Sequence, residues 1–191
     1  GRENGGAQSF TPPAQVGCQT LALPARDASV PAPPGLSAPD ASLVAPTTAE
    51  LGFIMRAIQQ FLPELPKIEL GDVNTRATRL LAWKANFEQA LLPVGPFVRN
   101  WWKWCVQQAA EAHKRFNLAS LHEREAIEPL MGLPPGWEQM DAWMRPKVLD
   151  AMPKSIQELV NTRTRQGKID ATQVILFWVV KQFGPGSIDR S

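Results

Sequence analysis

The sequence predicts an all-α body, a bundle of about six or seven helices, preceded by a disordered Pro/Ala-rich leader. Three observations predict it. Eight of the 18 prolines fall within the first 48 residues, and none of the 7 tryptophans does. From Thr48 onward apolar residues recur at helical spacing, at i, i+3, i+4 and i+7. No pair of alternating apolar runs flanks a tight-turn dipeptide, so there is no hairpin signal. The implied organisation is a leader over 1–47, a helical domain over 48–184 and a flexible tail over 185–191.

The leader contains Pro31–Ala32–Pro33–Pro34–Gly35–Leu36–Ser37–Ala38–Pro39, without apolar periodicity. Such a stretch buries too little surface to offset the entropy of ordering it, and its prolines favour a semi-stiff extended spacer. The first residue is Gly1 and no charged start with an apolar run follows, which predicts a fragment without a secretory signal. Cys18 stands alone there.

Thr47–Thr48–Ala49–Glu50 predicts an N-cap with an early acid, followed by Leu51, Ile54, Met55, Ile58, Phe61 and Leu62, and Pro63 ends the run. Residues 63–72 read as an extended connector, because a residue preceding proline avoids the α region. Asp72 or Asn74 caps a second helix with Ala77, Leu80, Leu81, Lys84 (by its stem), Phe87 and Leu91 inward and Trp83 beside them. Pro96 suits the first turn of a third helix over 96–116. There Phe97, Val98, Trp101, Trp102, Cys105, Val106, Ala109, Ala112, His113 and Phe116 form one broad apolar stripe. Trp104 falls off that stripe as a rim residue, and the small Ala109 and Ala112 invite close approach of another helix.

A fourth helix is expected over 119–131 with Leu121, Ile127, Leu130 and Met131 inward. A fifth, over 137–152, places Trp137, Met140, Trp143, Met144, Val148, Leu149 and Met152 inward, with Pro146 splitting or kinking it. Ser155 caps a sixth, with Ile156, Leu159 and Val160 inward, ending at Gln166–Gly167. Asp170–Ala171–Thr172–Gln173 has capping-box spacing. The run Val174–Ile175–Leu176–Phe177–Trp178–Val179–Val180 behind it is apolar on all sides. A buried strand is its rival, but the cap and the helical context favour a helix, either central or covered by a second protomer.

Composition excludes several function classes. Net charge is +2, with −1 in residues 1–48 and +3 in the remainder. That permits contact with RNA or a membrane surface but supplies no dense basic stripe. Two cysteines cannot form a disulfide framework. No apolar run approaches the roughly 18 residues that span a bilayer. Cys105, His113 and His122 lack zinc-ligand spacing, and Cys105 lies on the apolar stripe. A Cys105–His113 nucleophile pair is the one enzymatic arrangement to test. Glu123, Glu125 and Glu128 around Arg124 read as a solvated face. No phosphate-binding glycine loop occurs. Trp101 and Trp102 read as core. Trp104 with Lys103 and Arg99 is the candidate contact for a protein partner or single-stranded nucleic acid.

Ile68–Glu69–Leu70–Gly71, followed by Leu80–Leu81–Ala82–Trp83, opens a pattern. Val148–Leu149–Asp150–Ala151–Met152–Pro153, Leu159–Val160, Arg163–Thr164–Arg165 and Ile169–Asp170–Ala171–Thr172–Gln173–Val174–Ile175 continue it. In order and spacing this resembles the Gag (capsid-like) region of copia-type LTR retrotransposon polyproteins, over roughly residues 65–183. The family-motif positions are Gly71, Trp83, Pro153, Leu159, Val174 and Ile175. Leu81 stands where that family commonly has an aromatic, and the Cys-Cys-His-Cys knuckle that usually follows is absent from this sequence.

The resemblance implies a non-enzymatic, cofactor-free module that self-associates into an intracellular, cytoplasmic particle around RNA. It implies no membrane partner and no small-molecule substrate. Trp104, Lys103, Arg99, Phe177 and Trp178 are then the candidate protomer contacts. The alternative is a helical adaptor or nucleic-acid-associated domain unrelated to transposons.

Overall fold

The computed structural model describes residues 44–129 and 132–184. Residues 1–43 of the leader expected over 1–47, the tail over 185–191 and the inward placement of Leu130 and Met131 therefore lie outside the described residues, whereas Pro46, expected in the leader, is buried. The described residues form seven α-helices and no strand, all within one compact unit, Pro39–Ser191.

Helix α1 (Thr48–Phe61) starts at the expected cap. Thr47 Oγ1 accepts from the Glu50 N–H at 3.3 Å, and the Glu50 carboxylate accepts from the Thr47 N–H at 2.6 Å. These bonds satisfy two N–H groups that the helix cannot pair itself. The bond from the Thr47 N–H also holds the Glu50 carboxyl below its ordinary value, since it favours the charged form. Only Ile54 and Ile58 of this helix are buried. Phe61, expected inward, is 56% exposed, and Phe53 is 69% exposed.

Pro63 releases the chain into the extended connector, which lies on the body rather than looping away. Leu65 and Ile68 are buried, and the Ile68 N–H donates to the Ala151 carbonyl at 3.0 Å. Asp72 caps a single 3-10 turn, Val73–Thr75, that leads into α2 (Arg76–Ala90). Leu80, Trp83, Phe87 and Leu91 are buried, whereas Leu81 and Ala77, expected inward, are exposed. Trp83 takes the inward place because its indole N–H has an acceptor, the Pro66 carbonyl at 2.7 Å. A tryptophan buried with its N–H satisfied outweighs a leucine.

Gly95, at φ +119°, makes the sharp turn before Pro96 begins α3 (Pro96–Leu118). Val98, Trp101, Trp102, Cys105, Ala109 and Ala112 are all buried along it. Helix α4 is one turn, Leu121–Arg124, opened by Ser120 and Glu123 in a capping box. It ends at Arg124, short of the expected helix, and Leu121 is 74% exposed rather than inward. Two contacts explain the early stop. The Glu128 carbonyl accepts from Arg115 Nη2 at 3.3 Å, and its carboxylate takes Arg163 Nη2 at 3.0 Å. Glu128 also precedes Pro129, which disfavours helical backbone.

Helix α5 (Glu138–Asp150) runs through Pro146 without being split. Pro146 and Ala142, whose carbonyl loses its partner, are both on the exposed side, where solvent replaces the missing bond. Met140, Met144 and Val148 hold the opposite face. Helix α6 (Lys154–Arg165) is entered from the buried Pro153 rather than capped by Ser155, and it ends as expected with Gly167 at φ +81°.

Helix α7 (Thr172–Phe183) is the central element. Nine of its twelve residues are buried within this one chain, so no second protomer is needed to cover it. It lies along α3 and also touches α2, α5 and α6. Its expected capping box is not formed. The N-cap is Ala171, and the Asp170 side chain turns to Arg163 instead.

Candidate functional site

The expected contact trio lies on the first turns of α3, and its charges are already engaged. Arg99 Nη2 and Lys103 Nζ both lean on Glu88 of α2, at 3.9 and 3.4 Å. Trp104 is half-buried, with its ring edge-on to Trp137 at 6.2 Å and 84°. It is a rim residue resting on the core, beside two cations that share one carboxylate. That differs from the open basic groove with free aromatic faces that single-strand stacking requires.

Phe177 is fully buried inside its own chain and offers no protomer contact in this fold. Its ring packs on Phe116 at 6.2 Å and on Trp178 at 5.4 Å. Trp178 is half-buried under two cations, with Arg163 5.3 Å and Lys181 4.6 Å from its ring centre. The trio on α3 and the pair on α7 thus have separate ring partners.

Cys105 is fully buried, and burial, reinforced by the Asp141 charge, pushes its thiol well above the ordinary value. A thiol held neutral is a poor nucleophile. His113 lies eight residues further along the same helix, about 12 Å at 1.5 Å per residue. The Cys105–His113 pair therefore does not form. His122 is exposed on α4. Among the described residues no three His, Cys, Asp or Glu side chains gather as metal ligands would, and no helix is long and apolar enough to cross a membrane.

Of the six positions that carry the resemblance, Trp83, Pro153, Val174 and Ile175 are buried. Trp83 holds the connector through Pro66, and Ile68 is bonded to Ala151, two residues before Pro153. Val174 and Ile175 are fully buried in α7, and Leu159 is half-buried on α6. Gly71 has φ +52°, and a Cβ there would run into the Arg79 guanidinium. These residues thus support the architecture.

Two polar clusters escaped the sequence reading. The first surrounds Asp141, which is 1% exposed. Its Oδ1 accepts from Trp101 Nε1 and from the Thr172 N–H, each at 3.3 Å, and Oδ2 lies 3.5 Å from Arg145. Asp141 therefore caps α7 from α5. Its signal was legible: an acid four residues after Trp137, on the apolar phase shared by Met140, Met144 and Val148. The second joins α6 to the α7 entry. Arg163 Nε reaches both oxygens of the fully buried Asp170 carboxylate, at 3.0 and 2.7 Å, while Nη2 takes Glu128.

Burial raises the Asp141 pKa above its ordinary value, outweighing its hydrogen bonds and Arg145. The folded state thus holds the Asp141 proton more tightly than the unfolded chain, so its contribution to stability falls as pH rises from about 4 through the raised value. Asp141→Asn keeps an oxygen acceptor without the charge. It is expected to match or exceed the parent melting temperature at pH 7 and to lose any advantage near pH 4. Asp141→Ala, which strands two buried donors, is expected to cost about 1–3 kcal/mol. Thermal melts at both pH values check this, and an Asn variant clearly weaker at pH 7 contradicts it.

No protein-family model, curated protein or solved structure matches this chain.

Proposed function

We propose that this chain is a non-enzymatic, self-assembling, capsid-like (Gag-like) module of a copia-type retrotransposon polyprotein, one that packs its helices into an intracellular particle with RNA. The observation that carries the reading is the position of the resembling segments. The stretch around Ile68–Gly71 and the stretch ending at Pro153 are about 80 residues apart in sequence, yet they meet through the Ile68–Ala151 bond. A pattern whose halves interlock in one core is a better sign of a shared fold than the same short motifs scattered over a surface.

The outer face of α1 supports self-association. Phe53 and Phe61, eight residues apart, fall within about 80° of each other around the helix. Both are exposed, and large exposed aromatics are favoured anchors at protein contacts. Static light scattering over a concentration series, with and without single-stranded RNA, tests the proposal. Oligomers that grow with concentration are expected, and Phe53→Ser with Phe61→Ser is expected to weaken them without lowering the melting temperature. A strict monomer at high concentration in both conditions overturns the proposal.

A further inference from the structure

The extended connector and α2 enclose a groove of about 380 Å³, a volume within the usual range of ligand sites. One wall is the chain over 66–69. The other is a single stripe of α2, Arg79, Ala82, Trp83 and Asn86, spaced i, i+3, i+4 and i+7. The Trp83 indole N–H donates to the Pro66 carbonyl at 2.7 Å and ties the two walls together. The Ile68 N–H bond to the Ala151 carbonyl fastens the connector to the body. Between Arg79 and Trp83 the stripe carries only Ala82, small and exposed, which leaves the groove open.

Four polar side chains line this groove, Lys67, Glu69, Arg79 and Asn86. Among the described residues none of the four makes an ion pair or a hydrogen bond. The groove thus differs from Glu88, Glu128 and Asp170, whose charges are met within the chain. Gly71 sets the place of Arg79: the guanidinium lies where a Cβ of that residue would be. The missing side chain makes room for a cation at the start of the stripe. Glu69 and Arg79 share the groove without closing on each other.

We propose that this groove binds an extended peptide with an acidic side chain between apolar residues. From Arg79 to Asn86 the stripe runs about 10 Å, the length of three extended residues. The Arg79 fork and the Lys67 ammonium suit the carboxylate. Pro66, Ala82 and the Trp83 ring suit its apolar neighbours, and the Asn86 amide can donate to or accept from a peptide group. Charge selects the class of partner. Two free cations against one acid favour a single carboxylate, whereas a nucleic-acid strand carries a charge on every phosphate and would bring one against Glu69. The site does not depend on the assembly reading: a monomer can hold the peptide, and particles can form without it.

Nitrogen–proton correlation NMR reads the groove directly, through the Arg79 Nε–H and the Asn86 side-chain amide. The probe is the tripeptide Val-Glu-Val, blocked at both ends, whose β-branched residues favour extended backbone. Val-Gln-Val, Val-Lys-Val and a short single-stranded RNA are its competitors. Saturable shifts of both signals are expected with Val-Glu-Val, and weaker or absent ones with the others. Arg79→Gln is expected to raise the Kd by roughly tenfold or more. Ala82→Leu keeps every charge and fills the groove, so it is expected to abolish binding while the melt stays unchanged. Lys168→Gln, a change outside the groove, is expected to leave binding as it is. No saturable shift, equal shifts with the neutral or basic peptide, larger shifts with RNA, or binding that persists in Ala82→Leu overturns the proposal.

Discussion

Replacing Trp102 with alanine is expected to cost about 3–5 kcal/mol, the range for removing a large aromatic from a packed core. Trp102 is 2% exposed. Its ring stacks on Phe87 at 3.9 Å and 15°, meets Trp83 edge-on at 5.8 Å, and lies 6.3 Å from Trp101. Truncation thus empties the contact between α2 and α3 and removes the partner of three other rings. Against a typical total stability of about 5–15 kcal/mol, such a loss takes a large part of the folded population's margin. Trp104→Ala is the matched control. Its half-exposed ring rests on Trp137 at the rim, and the expected loss is about 1–2 kcal/mol. Urea unfolding of the two variants checks the ordering. Equal losses, or a larger one for Trp104, contradict the assignment of core and rim.

Arg163→Ala is expected to be comparably damaging for a different reason. The Asp170 carboxylate is fully withdrawn from solvent, and Arg163 Nε is bonded to both of its oxygens. Removing the guanidinium leaves a buried charge unpaired, which typically costs about 3–5 kcal/mol. Arg163→Lys should recover only part of this. An ammonium lacks the planar fork that reaches Asp170 and Glu128 together. The double variant Arg163→Met, Asp170→Leu is expected to be more stable than Arg163→Ala alone, because no charge is then stranded. Urea unfolding of the set decides it. If Arg163→Ala loses less than about 1 kcal/mol, the pair is not the lock between α6 and α7 that its geometry implies.

The parts of this fold legible from sequence were those set by nearest neighbours along the chain. The α1 cap at Thr47 and Glu50, the proline entry to α3 and the glycine exit from α6 each follow from chemistry within four residues. The apolar stripe of α3 is a strong periodic signal, and its six buried residues were all on it. Competition across space was not legible. Period alone could not rank Leu81 against Trp83, since the outcome depends on the Pro66 carbonyl reaching the indole. The capping box at Asp170 was a local promise that a distant arginine overrode, and Asp141 supplied the cap from another helix. Leu121 and Pro146 failed in opposite directions: a helix stopped early because Glu128 was drawn away, and another continued because its proline faced water.

For the candidate site, the α3 trio was found as a spatial neighbourhood, but not that Glu88 would engage both of its cations. Phe177 could be recognised as apolar, yet only packing reveals that its own chain covers it.

The placement of α7 bears on how the protein is made. The helix around which the others are arranged is the last of the described helices to leave the ribosome. Before Thr172 is synthesised, the faces of α3 and α5 that it will cover have no partner, and Asp141 has no helix end to cap. At roughly 5–20 residues per second, the nascent chain spends seconds with that surface open. The core can therefore close only late in synthesis, and the time before that is when the growing chain is most exposed to improper association.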